Sequence, residues 1–349
     1  ETFPFEIFIK EVKMIKKILL ISLAITLIGS LAFAAAQQES AEAETMVLRL
    51  AETHPQDYPT TKGDYEFARL VDEYTDGRIK VEVYHSKQLG EEKAAIEQVQ
   101  FGAIDFTRVS IAPVSDFYSP LNALQMPYVY SSGSHMWKVL SGPIGEEMLS
   151  KIEAAKFVGL CYYDGGARNF YNSKKEIKSV ADLAGLKFRV MQSKLMVDMV
   201  NALGAVPQPM PYGEVYSALQ TGVIDGAENN WPSYLTSSHY EVAKFYTTDG
   251  HLRVPEILIA SKIVMDKLSA EDQAAIKKAA KDSVEFQKKA WADFAKEAEE
   301  KVRAAGCVIT DLSDVSGFQD AMKPLYDELT PEEMAVVERI RATPYPAEK

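Results

Sequence analysis

Cysteine and histidine are scarce in this chain, with two cysteines, Cys161 and Cys307, and five histidines among 349 residues. None falls at zinc-like spacing, so neither a metal site nor a metal cofactor is expected. The cysteines lie in the apolar stretches FVGLCYY and AAGCVIT. Buried free thiols are the expectation, with pairing in an oxidising compartment as the alternative. Basic charge is also short, at 38 Lys and Arg against 50 Asp and Glu, net −12. That balance argues against nucleic acid and anionic membranes as partners, while a local pair of arginines remains able to hold a small anion. Catalytic signatures are missing: no G-x-S-x-G elbow, no Walker loop, no H-E-x-x-H and no G-x-G-x-x-G after a strand. No catalytic residue and no cofactor is therefore assigned. Asp225 and Glu228 are the one pair of carboxylates open to general acid–base use, but Asp225-Gly226 is a turn dipeptide whose carboxylate is expected on its own backbone.

Long apolar runs are absent except near the start. From Met14 the chain reads MIKKILLISLAITLIGSLAFAAAQQES, two lysines, an apolar run from Ile18 to Phe33, then small residues. That is the pattern of a secretory signal peptide, cut between Ala34 and Gln37; an uncleaved membrane anchor is the alternative, although the run is short for a span. ETFPFEIFIKEVK ahead of Met14 reads as upstream translation or a misplaced start, and QQESAEAE after the cut as a flexible tether over 37–45. The expected product is an exported, periplasmic protein with no stable membrane insertion after cleavage.

What is present is a strand–helix rhythm. MVLRLAE (46–52) alternates as a strand, 60–74 as an amphipathic helix, RIKVEVYH (78–85) as a strand, GEEKAAIEQVQFG (90–102) as a helix with an acidic first turn, and AIDFTRVS (103–110) as a strand. The rhythm returns in FVGLCYYDGG, ARNFYNS, a Ser179-capped turn, LKFRVM, a helix over 193–203 and YGEVYSALQTG closed by Gly222. This predicts two α/β units with mainly parallel sheets. One lobe takes residues 46–165 plus about 251–285, the other 166–250 plus about 286–330, and 331–349 forms a C-terminal helix or tail. VPEILIASKIVM reads as a further strand. Residues 269–305 read as one helix longer than roughly 50 Å laid across both lobes, or as a bent pair. Several crossings without a linker imply a hinge and a cleft.

Two arginines stand out. Arg168 follows the Gly165-Gly166 turn, and Arg189 lies between Phe188 and Val190 on a strand that looks buried. A buried guanidinium needs an anion, and its planar fork suits a carboxylate. Asn229 follows the next strand, in VIDGAENNWPS (223–233). Strand ends gather at one edge of an α/β sheet, so Arg168, Arg189 and Asn229 are placed to face one point. Internal pairing of each arginine with an Asp or Glu is the competing reading. Trp231 is either a core residue at a helix start or a wall for a sugar ring, and His54 either a loop residue before Pro55 or a contact.

The stretches HSKQLGEEKAAIEQVQFGAIDFTRVS, GARNFYNSKKEIKSVADLAGLKFRV, GAVPQPMPYGEVYSALQTGVIDGAENN and KPLYDEL, in that order, resemble the solute-binding proteins of TRAP (tripartite ATP-independent periplasmic) transporters, DctP type. The resemblance runs from about Met46 to about Leu329. It implies a two-lobed periplasmic receptor, two α/β domains with a hinge and a long shared helix, that closes on an organic acid and delivers it to TRAP membrane permease subunits. It further implies that Arg189 grips the ligand carboxylate, that Arg168 and Asn229 are second and third contacts, and that Glu92, Ser110, Tyr212 and the Thr53–His54 loop add others. The ENNWPSY stretch resembles the subgroup adapted to sugar acids such as glucuronate or galacturonate, with a C4-dicarboxylate or keto acid as the alternative ligand. A dicarboxylate would need a second cationic cluster, for which Lys87, Lys93 and Arg108 are the few candidates, all among carboxylates.

Overall fold

In a computed structural model the described residues are 12–14, 16, 17 and 45–345. The apolar run 18–33, the cleavage region and the tether up to residue 44 lie outside them. Among the described residues no helix is long and apolar enough to cross a membrane.

Among the described residues eleven strands form two sheets. The first holds β1 (Met46–Glu52), β2 (Ile79–Tyr84), β3 (Phe106–Ser110), β4 (Phe157–Tyr163) and β10 (Glu256–Ser261), in the order β2-β1-β3-β10-β4. The second holds β5 (Ala167–Asn172), β6 (Lys187–Val190), β7 (Val206–Pro209), β8 (Gly226–Asn229), β9 (Phe245–Arg253) and β11 (Val308–Thr310), in the order β11-β9-β5-β8-β6-β7. Helices cover both, so the architecture is two α/β lobes. The sheets are mixed, which corrects the mainly parallel expectation. β1 runs parallel to β3, and β6 runs parallel to β7 and β8, but β10 is antiparallel to β3 and β4, and β5 is antiparallel to β8 and β9. The reversal follows from the crossings. Residues 164–166 carry the chain from β4 in one sheet to β5 in the other, and Val254-Pro255 carry it back from β9 to β10. A strand that enters a lobe from its neighbour starts at the edge where the parallel strands end.

The first crossing is tightly held. Gly166 has φ +63, a region that favours glycine, and a Cβ there would press on the Trp291 indole. Gln287 clasps the backbone of Asp164 at both ends, accepting from its N–H at 2.7 Å and donating to its carbonyl at 3.0 Å. Asp164 in turn accepts from the Gly166 N–H and the Trp137 indole, both at 2.8 Å.

Trp291 and Gln287 sit on the third connection, one continuous helix over Ala270–Ala304, roughly 50 Å long. Ser269 caps it by accepting the Asp272 N–H, its first turn is acidic and its last turn basic, as the helix dipole favours. Its first half places Ile276, Ala279 and Ala280 in the core of the first sheet with Phe67, Leu70 and Val71. Its far end places Val302 in the core of the second with Tyr171, Tyr234 and Tyr246. The single-helix reading holds, and the bent pair does not.

Local signals elsewhere do what their chemistry dictates. Ser179 and Asp182 close a capping box, and Gly222 ends the helix Val215–Thr221 in the left-handed region. Cys161 and Cys307 are free thiols, one buried and one half-buried.

Candidate functional site

The carboxyl ends of β1, β3, β6 and β8 and the starts of β5 and β10 converge on one cavity of about 350 Å³ between the sheets. Thr53, His54, Tyr58, Glu92, Ser110 and Glu256 line it from the first lobe. Arg168, Arg189, Met191, Tyr212, Asn229, Asn230 and Ser233 line it from the second. Arg168, Arg189, Asn229, Glu92, Ser110, Tyr212, Thr53 and His54, the contacts the resemblance implies, therefore line one cavity.

The two arginines are in opposite electrostatic states. Arg168 opens β5 and reaches across to β8, where Phe170 is in register with Glu228. Its Nη2 donates to Glu228 Oε1 at 2.9 Å and to the Glu228 carbonyl at 2.8 Å, and its Nη1 donates to Asn229 Oδ1 at 3.0 Å. Internal pairing, the competing reading, thus holds for Arg168. Burial raises the cost of charge on Glu228, yet Arg168 and His251 hold its carboxyl down to about 2. His251 lies 3.5 Å from Glu228, an ion-pair separation rather than a formed hydrogen bond, and 2.6 Å from Asp249. Burial opposes its charge, but Asp249 and Glu228 push its pKa up to about 9.

Arg189 is 4 % exposed and has no carboxylate within ion-pairing distance among the described residues. Its one protein acceptor there is the Met210 carbonyl, 3.0 Å from Nε, and its guanidinium lies over the Tyr212 ring at 5.6 Å. Burial, with repulsion from Arg168 added, lowers its pKa despite the pull of Glu228. A buried cation in this state is incomplete without an anion. Asn229 adds to it: Oδ1 is used by Arg168 and by the Asn230 N–H at 2.9 Å, which leaves its Nδ2 donor without a protein acceptor among the described residues.

The opposite wall is acidic. Arg108, fully buried, forks onto Glu52 and also contacts Glu256 and, at 3.7 Å, Glu92. Ser110 spends its hydroxyl on Glu256 at 3.0 Å and its N–H on Glu92 at 2.9 Å. Burial, which outweighs Arg108, pushes Glu256 up to about 7. Burial, then the nearby Arg108, depress His54 to about 3, so its imidazole is neutral; Nδ1 is buried without a partner among the described residues.

Aromatic rings close the gap. Tyr58 stacks on His54 with ring centroids 3.8 Å apart, and Tyr212 meets His54 edge-on at 5.2 Å. The Tyr58 hydroxyl bonds Ser233 Oγ at 2.7 Å, and Glu91 accepts from the Gly213 N–H at 3.1 Å. Both bonds join the lobes directly. Asn230 caps the helix Trp231–Thr236 by accepting the Ser233 N–H at 2.8 Å, and donates to the Gly165 carbonyl at 2.9 Å.

The open reading of Trp231 is decided here, that of Asp225 changes, and Arg108 lies among carboxylates as expected. Trp231 does not line the cavity: it stacks on Tyr246 at 3.9 Å beneath Arg303, so it is a packing residue. Asp225 serves the backbone of another strand, accepting from the Lys187 N–H at 2.9 Å. Arg108 is consumed by internal carboxylates. Sequence reasoning missed Glu256, Tyr58, Ser233 and Met191. A signal existed for Glu256, since VPEILIAS puts a carboxylate in an apolar strand, as KFRV does an arginine; Tyr58 and Ser233 carried none.

Known proteins share the family and the fold. The family model described as bacterial extracellular solute-binding protein, family 7 matches residues 50–333. A TRAP periplasmic solute-binding protein from Bradyrhizobium sp. BTAi1, solved in complex with α/β-D-galacturonate, is 46 % identical, with TM-score 0.84 over 85 % of this chain and 99 % of that one. One from Chromohalobacter salexigens, with bound D-glucuronate, is 38 % identical, with TM-score 0.83 over 85 % of this chain and 100 % of that one. The C4-dicarboxylate-binding periplasmic protein of Rhodobacter capsulatus is 33 % identical over 90 % of each chain.

Proposed function

The chain belongs to bacterial extracellular solute-binding protein family 7, and from that premise we propose that it is the periplasmic receptor of a TRAP transporter for a monocarboxylic sugar acid of the D-galacturonate or D-glucuronate kind. The lobes, bounded near 165/166 and 250/251, close on the ligand and present it to membrane permease subunits. The observation that carries this reading is Arg189, a buried cation with no anion. The ligand carboxylate completes it, held by the two terminal nitrogens of Arg189, with Arg168 and the Asn229 amide beside it. Glu228 already neutralises Arg168, so Arg189 contributes the larger share of the affinity and Arg168 fixes direction.

The ligand's hydroxyls meet Glu92, the Ser110–Glu256 pair and His54 Nδ1, and a ring face packs against Tyr58, His54 and Tyr212. Closing the cleft removes water, which strengthens each charged contact. The uronate complexes of the Bradyrhizobium and Chromohalobacter proteins support this ligand class. A C4-dicarboxylate fits less well, because no lysine or arginine is among the first-lobe residues that line the cavity, and Arg108 is spent. The chain acts as a receptor rather than an enzyme. Glu228 is committed to Arg168 and Asp225 to a backbone N–H, so neither is available to move a proton on a bound sugar.

The test is a thermal-shift panel of uronates, aldonates, C4-dicarboxylates and keto acids. A ligand at 100 times its dissociation constant adds about 2.7 kcal/mol. A shift with galacturonate or glucuronate and none with succinate supports the reading, and the reverse pattern overturns it. Recovery of unchanged sugar acid after incubation with the protein separates receptor from enzyme.

A further inference from the structure

The cavity is electrically one-sided. Its second-lobe end holds the uncompensated cation, Arg189. Its first-lobe wall holds two carboxylates, Glu92 and Glu256, and no lysine or arginine among its lining residues; Arg108, behind them, is fully buried and divided among Glu52, Glu256 and Glu92. Glu256 is the first residue of β10 and is in register with Ser110, the last of β3, so backbone pairing fixes where its carboxylate stands. Arg108 and the Ser110 hydroxyl then fix its orientation, with Ser110 Oγ at 3.0 and 3.2 Å from the two oxygens. A carboxylate offers about four lone-pair sites, so both side chains keep acceptor capacity toward the cavity. Ser110 keeps no donor for a ligand, its hydroxyl being spent on Glu256 and its N–H on Glu92.

Resting on the uronate reading above, we propose that Glu92 and Glu256 are specificity-determining residues that accept hydrogen bonds from the hydroxyls at the ligand end remote from its carboxylate and reject any ligand with a second carboxylate there. Arg108 is a positioning residue for both. The receptor therefore takes a sugar acid whose far end is a hemiacetal and excludes the aldarate with the same carbon skeleton, which differs only by a carboxylate at that end. The discrimination comes mainly from repulsion of the wrong ligand.

Calorimetric titration of the full protein with D-galacturonate and with galactarate, at about pH 8.5 so that Glu256, pushed up to about 7, is ionised, tests this. Wild type is expected to bind the uronate about 100-fold or more tightly than the aldarate, the scale set by like charges brought together in a closed site. Glu92→Gln and Glu256→Gln, each checked for folding by its thermal melt, are expected to narrow that ratio about tenfold, chiefly by tighter aldarate binding. Glu92 is half-buried and its replacement keeps an acceptor for the Ser110 N–H, so this variant decides the matter if Glu256→Gln fails to fold. Equal binding of uronate and aldarate by wild type overturns the inference and leaves the receptor reading intact. An unchanged ratio in a folded variant does the same. Binding of neither sugar acid by wild type overturns the function reading itself.

Discussion

The Arg189 guanidinium is tied to the Met210 carbonyl through Nε at 3.0 Å, which leaves its two terminal nitrogens to the cavity. Its neighbour Arg168 is spent on Glu228. This asymmetry separates binding from stability. Arg189→Ala is expected to lower uronate affinity by two to three orders of magnitude or more, from the roughly 3–5 kcal/mol lost with one partner of a buried charge pair. The ligand-free melting temperature should stay level or rise, because an uncompensated buried charge is removed. Titration calorimetry beside a thermal melt reads both.

Arg168→Ala has the opposite signature. It strands Glu228, whose carboxylate is buried and without another full hydrogen-bond partner, and should destabilise the ligand-free fold by about 3–5 kcal/mol. Adding Glu228→Gln should restore part of that loss, and urea unfolding of the two single variants and the double variant gives the coupling directly.

A third expectation concerns pH. His251 has a folded pKa near 9 against about 6.5 unfolded. Its stabilisation is fully present below pH 6.5 and is lost as pH rises through 9, roughly 3 kcal/mol in all. Glu228 behaves in the reverse sense. With a folded pKa near 2, its contribution is complete above about pH 4.5 and disappears as pH falls toward 2. Ligand-free unfolding free energies measured from pH 6 to 10 should fall in wild type and run flatter in His251→Gln.

Closure can be tested without touching the arginines. The Tyr58 hydroxyl bonds Ser233 Oγ across the cleft at 2.7 Å. Tyr58→Phe keeps the stacking on His54 and removes that bond, worth roughly 0.5–1.5 kcal/mol. Stopped-flow binding should show a several-fold faster dissociation with little change in association.

Much of this was legible in residue order because the decisive signals are local contradictions. An arginine inside KFRV and a Gly-Gly turn before ARNF are both costly unless the fold needs them, and both lie at the cavity. The Ser269 cap and the dipole-matched ends of the long helix likewise announce themselves. Other features depend on registers that only the folded chain creates. Nothing in the sequence distinguishes Arg168, which reaches Glu228 on its antiparallel neighbour, from Arg189, beside Ala227 in a parallel pair. That difference decides which arginine lacks an anion. Trp231 was ambiguous for the same reason: its neighbour Tyr246 comes from β9, a strand the sequence reading passed over. The antiparallel strands escaped notice because they arise where the chain changes lobe.

The most direct measurement is calorimetric titration of protein first unfolded, dialysed and refolded to release any co-purified ligand, with D-galacturonate, D-glucuronate and succinate. One-site binding of a uronate is expected, abolished or weakened at least 100-fold in Arg189→Ala, with no heat from succinate. Uronate binding of equal strength in wild type and Arg189→Ala would contradict the role of Arg189 as the carboxylate's partner.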